Sequence, residues 1–156
     1  MPFVVTGLPI DEFRPLFGLS EAELGARGIQ RVEVAAPKGF PCRLSLEDRP
    51  VGDTVLLMNY EHQPADTPFR SRHAIFVGEQ VSATARYVDE LPPVLAAREF
   101  ASLRAFDAAG MMTDGQLVRS AELKDAIRRM LDAPEVACLH AHYTGRGCYA
   151  ARIERC

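Results

Sequence analysis

The sequence predicts an α+β fold: a single domain over residues 1–156 with a mostly antiparallel sheet, which could close into a barrel, and two or three short helices packed on it. Several short segments alternate apolar and polar residues with the period of a half-buried strand. Turns that contain glycine or proline separate most of these segments, which favours hairpins. With 47% apolar and 25% charged residues, a chain of 156 residues can form one core without disulfide or metal support.

The N-terminal region predicts one strand and one capped helix. The β-branched run at residues 3–6 is typical of a strand, and residues 11–17 allow one helical turn. Ser20 followed by Glu23 fits a capping box, which predicts a helix over residues 21–27. A helix this short must dock on the rest of the protein to persist.

The next region predicts four strands and a polar loop. Residues 30–35 and 42–46 alternate apolar and polar side chains, as strands with one buried face do. Residues 54–60 are apolar on both faces and predict a central strand, and residues 74–77 predict a second apolar strand after the loop. The polar loop at residues 61–73 is a first candidate site, because loops on a rigid scaffold often carry binding residues.

The C-terminal half predicts four strands and the clearest helix. Ser120 can cap a helix over residues 120–131, whose apolar side chains form one stripe at helical spacing. A glycine-rich turn between the last two alternating segments predicts a hairpin. The predicted strands of this half are residues 99–107, 111–118, 136–143 and 148–154.

Composition and charge exclude several functional classes. The net charge of −3 argues against a nucleic-acid surface, which usually needs a basic face. No apolar run approaches the roughly 20 residues of a membrane helix, and the first residues lack the basic and apolar regions of a signal peptide. The four cysteines form no CxxC pair and are expected to be reduced thiols. We therefore expect a cytoplasmic bacterial protein that binds neither nucleic acid nor membrane, and a homodimer stays open.

The histidines raise the question of a metal site. A period of two places Cys138, His140 and His142 on one face of a strand, with neighbours about 6.5–7 Å apart. That spacing does not suit two ligands of one zinc ion unless a bend or a bulge intervenes. Further ligands would have to come from His62, His73 or Cys148. The sequence therefore predicts no metal and no cofactor.

Arginine is the residue type that most strongly suggests binding, because its planar guanidinium suits carboxylates and phosphates. Arg104 shares a predicted strand face with Phe100 and Phe106, so its charge needs a partner or an aromatic ring. The arginines on or beside predicted strands are Arg43, Arg70, Arg72, Arg104 and Arg152. The alternative is that they form structural ion pairs with Glu61, Asp66, Asp107 and Glu154.

Two cysteines permit a thiol-dependent enzyme as a second hypothesis. A nucleophilic thiol needs a base or a cation nearby to lower its pKa. Cys42 and Cys148 are the candidate nucleophiles, and Arg43 and His140 are the candidate neighbours. The alternative is that both thiols are buried and inert.

Four segments together form a recognisable pattern: PKGFPCRLSLEDRPVGDTVLLMNYEH, PFRSRHAIFV, FASLRAFDAAGMM and HAHYTGRGCYAARIER. They resemble the bacterial domain-of-unknown-function family 1203, and the resemblance extends from about Phe3 to Arg155. Its most specific parts are residues 40–43, 103–107 and 147–149. The resemblance implies a small, stand-alone, cytoplasmic bacterial protein with no established activity.

The resemblance also implies a set of site residues. His73-Ala74 stands where the family pattern usually has Gly-Pro, Arg49 where it has a small residue, and His142-Tyr143 where it has Arg-Asn. The resemblance therefore gives no site role to His62, His73 or His142. The positions that match the family pattern are Cys42, Arg43, Tyr60, Arg70, Arg104, Asp107, His140 and Cys148.

The leading prediction is a protein that binds a small anion or a peptide carboxylate in an arginine-rich polar cavity. The second hypothesis is a thiol-dependent enzyme in which Cys42 or Cys148 acts with His140. The third is a structural or partner-binding protein without catalytic activity. The predicted ligand-binding residues are Arg43, Tyr60, Arg70, Arg104, Asp107, His140 and Cys148. Convergence of these residues on one concave surface would favour the first hypothesis.

Overall fold

A computed structural model describes residues 1–156 and contains nine strands and three short α-helices. The strands are β1 (Phe3–Thr6), β2 (Gln30–Glu33), β3 (Thr54–Gln63), β4 (Ser71–Gly78), β5 (Arg86–Val88), β6 (Phe100–Phe106), β7 (Met112–Arg119), β8 (Cys138–His142) and β9 (Tyr149–Arg155). The α-helices are α1 (Glu21–Gly25), α2 (Pro93–Ala96) and α3 (Leu123–Asp132). Single 3₁₀ turns lie at Ile10–Glu12, Arg14–Leu16 and Ser120–Glu122.

The strands form two separate sheets, and all pairings between neighbouring strands are antiparallel. The larger sheet has the order β5-β1-β9-β8-β6-β7, and the smaller has the order β2-β3-β4. Neither sheet closes into a barrel. The predicted α+β fold with a mostly antiparallel arrangement is therefore confirmed.

Helix α3 and the six-stranded sheet enclose the larger of two apolar cores. Leu123, Ile127 and Leu131 form the predicted helical stripe, and all three side chains are buried. They pack with the inward-facing residues of β6, β8 and β9. At ten residues α3 is the longest helix, and none of the helices combines the length and apolar character needed to cross a membrane.

The three-stranded sheet and α1 enclose the smaller core. Leu24 of α1 packs here with Leu56 of β3 and Ile75 of β4, and all three are almost fully buried. The predicted capping box holds the start of α1, because the Ser20 hydroxyl accepts from Glu23 N at 3.1 Å and Ser20 N donates to the Glu23 carboxylate at 2.8 Å. Tyr149 of β9 belongs to the same core, so the two sheets meet at this residue.

Two local predictions are wrong. Residues 42–46 form a turn instead of a strand: Leu46 N donates to Cys42 O at 2.9 Å, and Leu46 adopts a left-handed φ of 56°. A tight turn buries alternate apolar residues as a strand would, so the sequence pattern does not separate the two. Ser120 does not cap α3, because its hydroxyl donates to Arg98 O, with Leu95 O also 3.3 Å away.

The polar loop between β3 and β4 is shorter than predicted. Strand β3 continues to Gln63 and β4 begins at Ser71, so both strands extend into the predicted loop. His62 and His73 therefore lie on strands, and Tyr60 pairs with His73 across the hairpin. A register shift between Glu61 and Gln63 marks a bulge at His62.

Candidate functional site

A cavity of about 520 Å³ lies beside the β8–β9 hairpin. We call it the arginine cavity, because three of its lining residues are arginines and none is acidic. Its lining residues are Gly39, Pro41, Arg43, Leu57, Ala74, Ile75, Phe76, Arg98, Tyr143, Thr144, Gly145, Arg146 and Cys148. Although the net charge of the protein is −3, this concave surface has three cations and no acidic residue in its lining.

Arg43 is the buried charge of the arginine cavity, with only 3% of its surface exposed. Its Nε donates to Tyr149 O at 2.8 Å and its Nη1 donates to Pro41 O at 2.7 Å. Nη2 makes no hydrogen bond within the protein, and no carboxylate forms an ion pair with the guanidinium. Burial lowers the pKa of Arg43, since the charged form is poorly solvated.

Tyr143 brings a second arginine close to Arg43. The guanidinium carbons of Arg43 and Arg98 lie 5.1 Å and 4.6 Å from the centre of the Tyr143 ring, which is within the range of cation–π contacts. Asp48 is close enough to Tyr143 to affect its pKa, but it forms no ion pair with either arginine and does not line the cavity. Two cations thus share one aromatic ring, and neither of them forms an ion pair with a carboxylate.

The hairpin turn supplies the open side of the arginine cavity. Thr144, Gly145 and Arg146 are exposed, and Arg146 forms no ion pair. Cys148 follows the turn and is partly buried against the cavity. The exposed cation of Arg146 therefore faces the same space as the buried cation of Arg43.

The four histidines of the chain form a second group, which we call the histidine cluster: His62 on β3, His73 on β4, and His140 and His142 on β8. One ring nitrogen from each of His62, His140 and His142 lies within 4.8 Å of the other two. His62 Nε2 and His73 Nδ1 are 2.6 Å apart. The His62 ring also stacks on Tyr149, with ring centres 4.9 Å apart.

Three members of the histidine cluster are buried, and the fourth, His73, is half-buried. Burial lowers the pKa of His62 to about 4 and the pKa values of His140 and His142 to about 3. Arg104 contributes to the low pKa of all four histidines, and it lies directly opposite His140 in the β6–β8 pairing. Arg104 itself has neither an ion pair nor a hydrogen bond, and partial burial lowers its pKa.

Several ring nitrogens of the histidine cluster lack a hydrogen bond. They are His62 Nδ1, His140 Nδ1 and His142 Nε2, and all three atoms are buried. His142 Nδ1 lies 2.9 Å from Gly147 O, and because a carbonyl only accepts, this nitrogen carries the proton. The neutral His142 ring therefore presents a bare lone pair at Nε2.

The remaining predicted site residues lie outside both groups. Arg70 forms a surface ion pair with Glu61 at 3.0 Å, and Asp107 accepts from the backbone of its own turn. Tyr60 donates to Glu12 at 3.2 Å, and burial raises its pKa to about 12. Cys42 is buried, and its sulfur accepts from two backbone N–H groups.

The predicted set therefore divides into two groups. Arg43 and Cys148 line the arginine cavity, whereas Arg104 and His140 belong with the histidine cluster. His140 forms no hydrogen bond with either candidate thiol. The structural ion pairs considered as the alternative occur at Arg70 and Arg72 with Glu61 and at Arg152 with Glu154, but not at Arg43 or Arg104.

Arg98, Tyr143 and Arg146 are cavity residues that the sequence does not single out. From sequence, residues 144–147 are interpreted only as a hairpin turn. An arginine between two glycines is the signal that could have indicated a binding loop there. Arg98 follows α2 and reaches the cavity only through tertiary packing, so no local signal marks it.

The fold and these two groups define an α+β protein with an unbalanced basic cavity and a buried histidine cluster. A family model described as "Protein of unknown function (DUF1203)" matches residues 39–155, and the chain belongs to this family. The match includes every candidate residue of both groups. Comparisons with curated proteins and with solved structures found no match.

Proposed function

We propose that this protein binds a small anionic molecule, with a carboxylate or a phosphate group, in the arginine cavity. The observation that supports the proposal is that Arg43, Arg98 and Arg146 line one cavity without an acidic residue among its lining. Two like charges near one ring repel each other, and their burial is costly unless a counter-charge is present. A bound anion supplies that counter-charge.

The lining also indicates the shape of the ligand. A volume of about 520 Å³ lies within the range of small-molecule sites. The lining combines apolar residues, among them Leu57 and Phe76, with the polar residues of the hairpin turn. A molecule with a compact apolar body and one anionic group matches this combination of apolar and polar lining. Nη2 of Arg43 is the donor that is free to bind the anionic group.

A thermal-shift and calorimetric screen of simple carboxylates, inorganic phosphate and phosphate monoesters tests the proposal. Binding to the native state raises the midpoint of thermal unfolding. At a free ligand concentration of 100 times the Kd, it adds about 2.7 kcal/mol to the free energy of unfolding. Arg98→Gln removes one cation and is expected to weaken binding about 10- to 100-fold, as charge-assisted hydrogen bonds of about 1.5–3 kcal/mol do.

Arg119→Gln is the matched control. Arg119 also rests on an aromatic ring, with its guanidinium carbon 4.8 Å from the centre of Phe100, but it does not line the cavity. Affinity is expected to be unchanged in this variant. The proposal fails if no anion of the panel stabilises the protein, or if both substitutions change affinity equally.

Cys148 supports a second candidate function, a thiol-dependent reaction on the bound anion, because this residue lines the same cavity. Alkylation by iodoacetamide with and without the identified anion tests this, and ligand protection of Cys148 but not of the exposed Cys156 is the expected result. Absence of protection would restrict the cavity to binding alone.

A cytoplasmic location in a bacterium and a homodimer remain predictions from the sequence.

A further inference from the structure

We propose that His62, His140 and His142 form a binding site for a divalent transition-metal ion of the class that prefers neutral imidazole ligands, such as Zn²⁺ or Co²⁺. This departs from the sequence-based expectation of no metal. It rests on different residues from the anion proposal, so either proposal can fail without the other.

The first argument is the geometry of the three rings. In a tetrahedral zinc site with Zn–N distances of 2.0–2.1 Å, ligand nitrogens lie about 3.3 Å apart. The three histidines present ring nitrogens within 4.8 Å of one another. Contracting a triangle of nitrogens from 4.8 Å to about 3.3 Å moves each nitrogen by less than about 1 Å.

The second argument is the state of the nitrogens. A metal ligand must offer a lone pair, and a buried lone pair without a donor is costly unless something occupies it. His142 offers one at Nε2, while its Nδ1–H donates to Gly147 O, the arrangement that orients metal-bound histidines. Nδ1 of His62 and Nδ1 of His140 are also buried without partners.

His73 can orient His62 in the same way. If His62 Nε2–H donates to His73 Nδ1 across their 2.6 Å separation, His62 Nδ1 is left bare. His73 is the most exposed member of the histidine cluster, so it lies where an ion would enter.

The third argument is that backbone irregularities occur beside the ligand positions. Register shifts lie between Glu61 and Gln63, around His62, and between Ala141 and His142. Bulges re-aim side chains and are frequent next to functional sites. His140 and His142 keep the regular two-residue spacing of β8, with ring centres 6.4 Å apart on one face of the strand, and His62 at the bulge of β3 lies 5.8 Å and 5.1 Å from them, centre to centre.

Charge indicates what else the ion would bind. The three imidazoles are neutral and Arg104 is a nearby cation, so the site contains no negative charge to balance a divalent ion. Three protein ligands leave one position of a tetrahedral ion open. That position would therefore take hydroxide or another small anion, whose negative charge Arg104 can balance.

Titration of tag-free protein with Co²⁺ tests the site, because tetrahedral Co²⁺ gives visible absorption bands that Zn²⁺ abolishes by displacement. We expect a stoichiometry of one ion per chain. Spectra of ¹⁵N-histidine-labelled protein provide a second readout, since all four histidines belong to the cluster and each imidazole signal reports on it. Zn²⁺ is expected to shift the signals of His62, His140 and His142.

His62→Gln removes one ligand at the least buried of the three positions and is expected to weaken Co²⁺ affinity on the order of 100-fold. Circular dichroism establishes that the variant is folded. If it is not, His73→Asn gives the same comparison at a more exposed position, with a smaller loss of Co²⁺ affinity expected.

Cys148→Ser and Cys156→Ser are the controls, and neither should alter Co²⁺ binding. Absence of cobalt bands and of histidine shifts at equimolar metal overturns the proposal, as does unchanged affinity in folded His62→Gln.

Discussion

Arg43 is oriented by the backbone carbonyls of Pro41 and Tyr149. Its position in the arginine cavity therefore depends on where the turn at residues 41–46 lies. Gly7 is packed against this turn: Leu8 N donates to Arg43 O at 2.8 Å, and a methyl group on Gly7 would lie 3.0 Å from Arg43 O. The close approach of these two backbones holds the buried guanidinium in place.

Gly7→Ala is expected to destabilise the protein and to weaken anion binding together. The added Cβ would overlap the carbonyl group of Leu44, which is backbone and cannot rotate away, so the turn must shift. We expect a loss of about 1–3 kcal/mol in the free energy of unfolding, measured by urea denaturation. Gly25→Ala is the control, because a Cβ there meets open space at the end of α1, and it should be neutral or slightly stabilising. Equal stability of the two variants would contradict the argument.

Among single residues, the sequence predicts only part of the two candidate sites, and the rest escapes it for physical reasons. Arg43 and Cys148 were predicted and line one cavity. Regular strand spacing separates His140 from His142 too widely for two ligands of one ion, so the sequence predicts no metal site there. That spacing is kept in the structure, and the cluster arises because His62, at a bulge in β3 of the other sheet, approaches both rings, which no local pattern of residues indicates.

One ion pair connects the elements of the smaller sheet. The Glu79 carboxylate, just after β4, accepts from Arg31 of β2 at 2.7 Å and 3.0 Å, from the Thr54 hydroxyl at 2.9 Å and from Gly18 N at 3.0 Å. Arg31 also donates to Glu21 at the start of α1. These bonds lower the pKa of Glu79 to about 2, with the bond from Arg31 as the largest cause.

Glu79 therefore makes stability depend on pH at the acidic end. Because its pKa is lower in the folded protein than in the unfolded chain, its contribution is complete above about pH 5 and is lost as pH falls toward 2. Glu79→Gln is expected to cost about 2 kcal/mol at pH 7 and little at pH 2, measured by urea denaturation across that range. Glu122→Gln, at an exposed position without an ion pair, is the control. A cost that does not change with pH would refute this role.

At the scale of elements, periodicity predicted most strands, and pairing was predicted only where a turn connects neighbours. The hairpins β6–β7 and β8–β9 follow directly from alternation and turn residues. The pairing of β1 with β9 joins the two ends of the chain, and no local signal indicates it. The existence of a second sheet is not predicted for the same reason. No residue pattern in β2 or β3 indicates that these strands pair separately from the larger sheet.

The two apolar cores of the molecule share short segments of chain. In the turn at residues 41–46, Leu44 belongs to the smaller core and Leu46 to the larger. In β9, Tyr149 belongs to the smaller core while Ala150 and Ala151 belong to the larger. Because each of these segments is only a few residues long, neither core can lose its packing without displacing residues of the other. Both candidate sites lie along this boundary, the arginine cavity at Cys148 and the histidine cluster against Tyr149.

We therefore expect the whole chain to unfold in one cooperative transition. Leu24→Ala in the smaller core and Ile127→Ala in the larger should each cost about 2–5 kcal/mol and lower the same midpoint. Circular dichroism and tyrosine fluorescence, followed during urea denaturation, should give coincident curves for both variants. Leu117→Ala, at a side chain that is 69% exposed, should leave the midpoint nearly unchanged. An early separate transition in Leu24→Ala would show that the three-stranded sheet unfolds alone, and the shared segments would then not couple the cores.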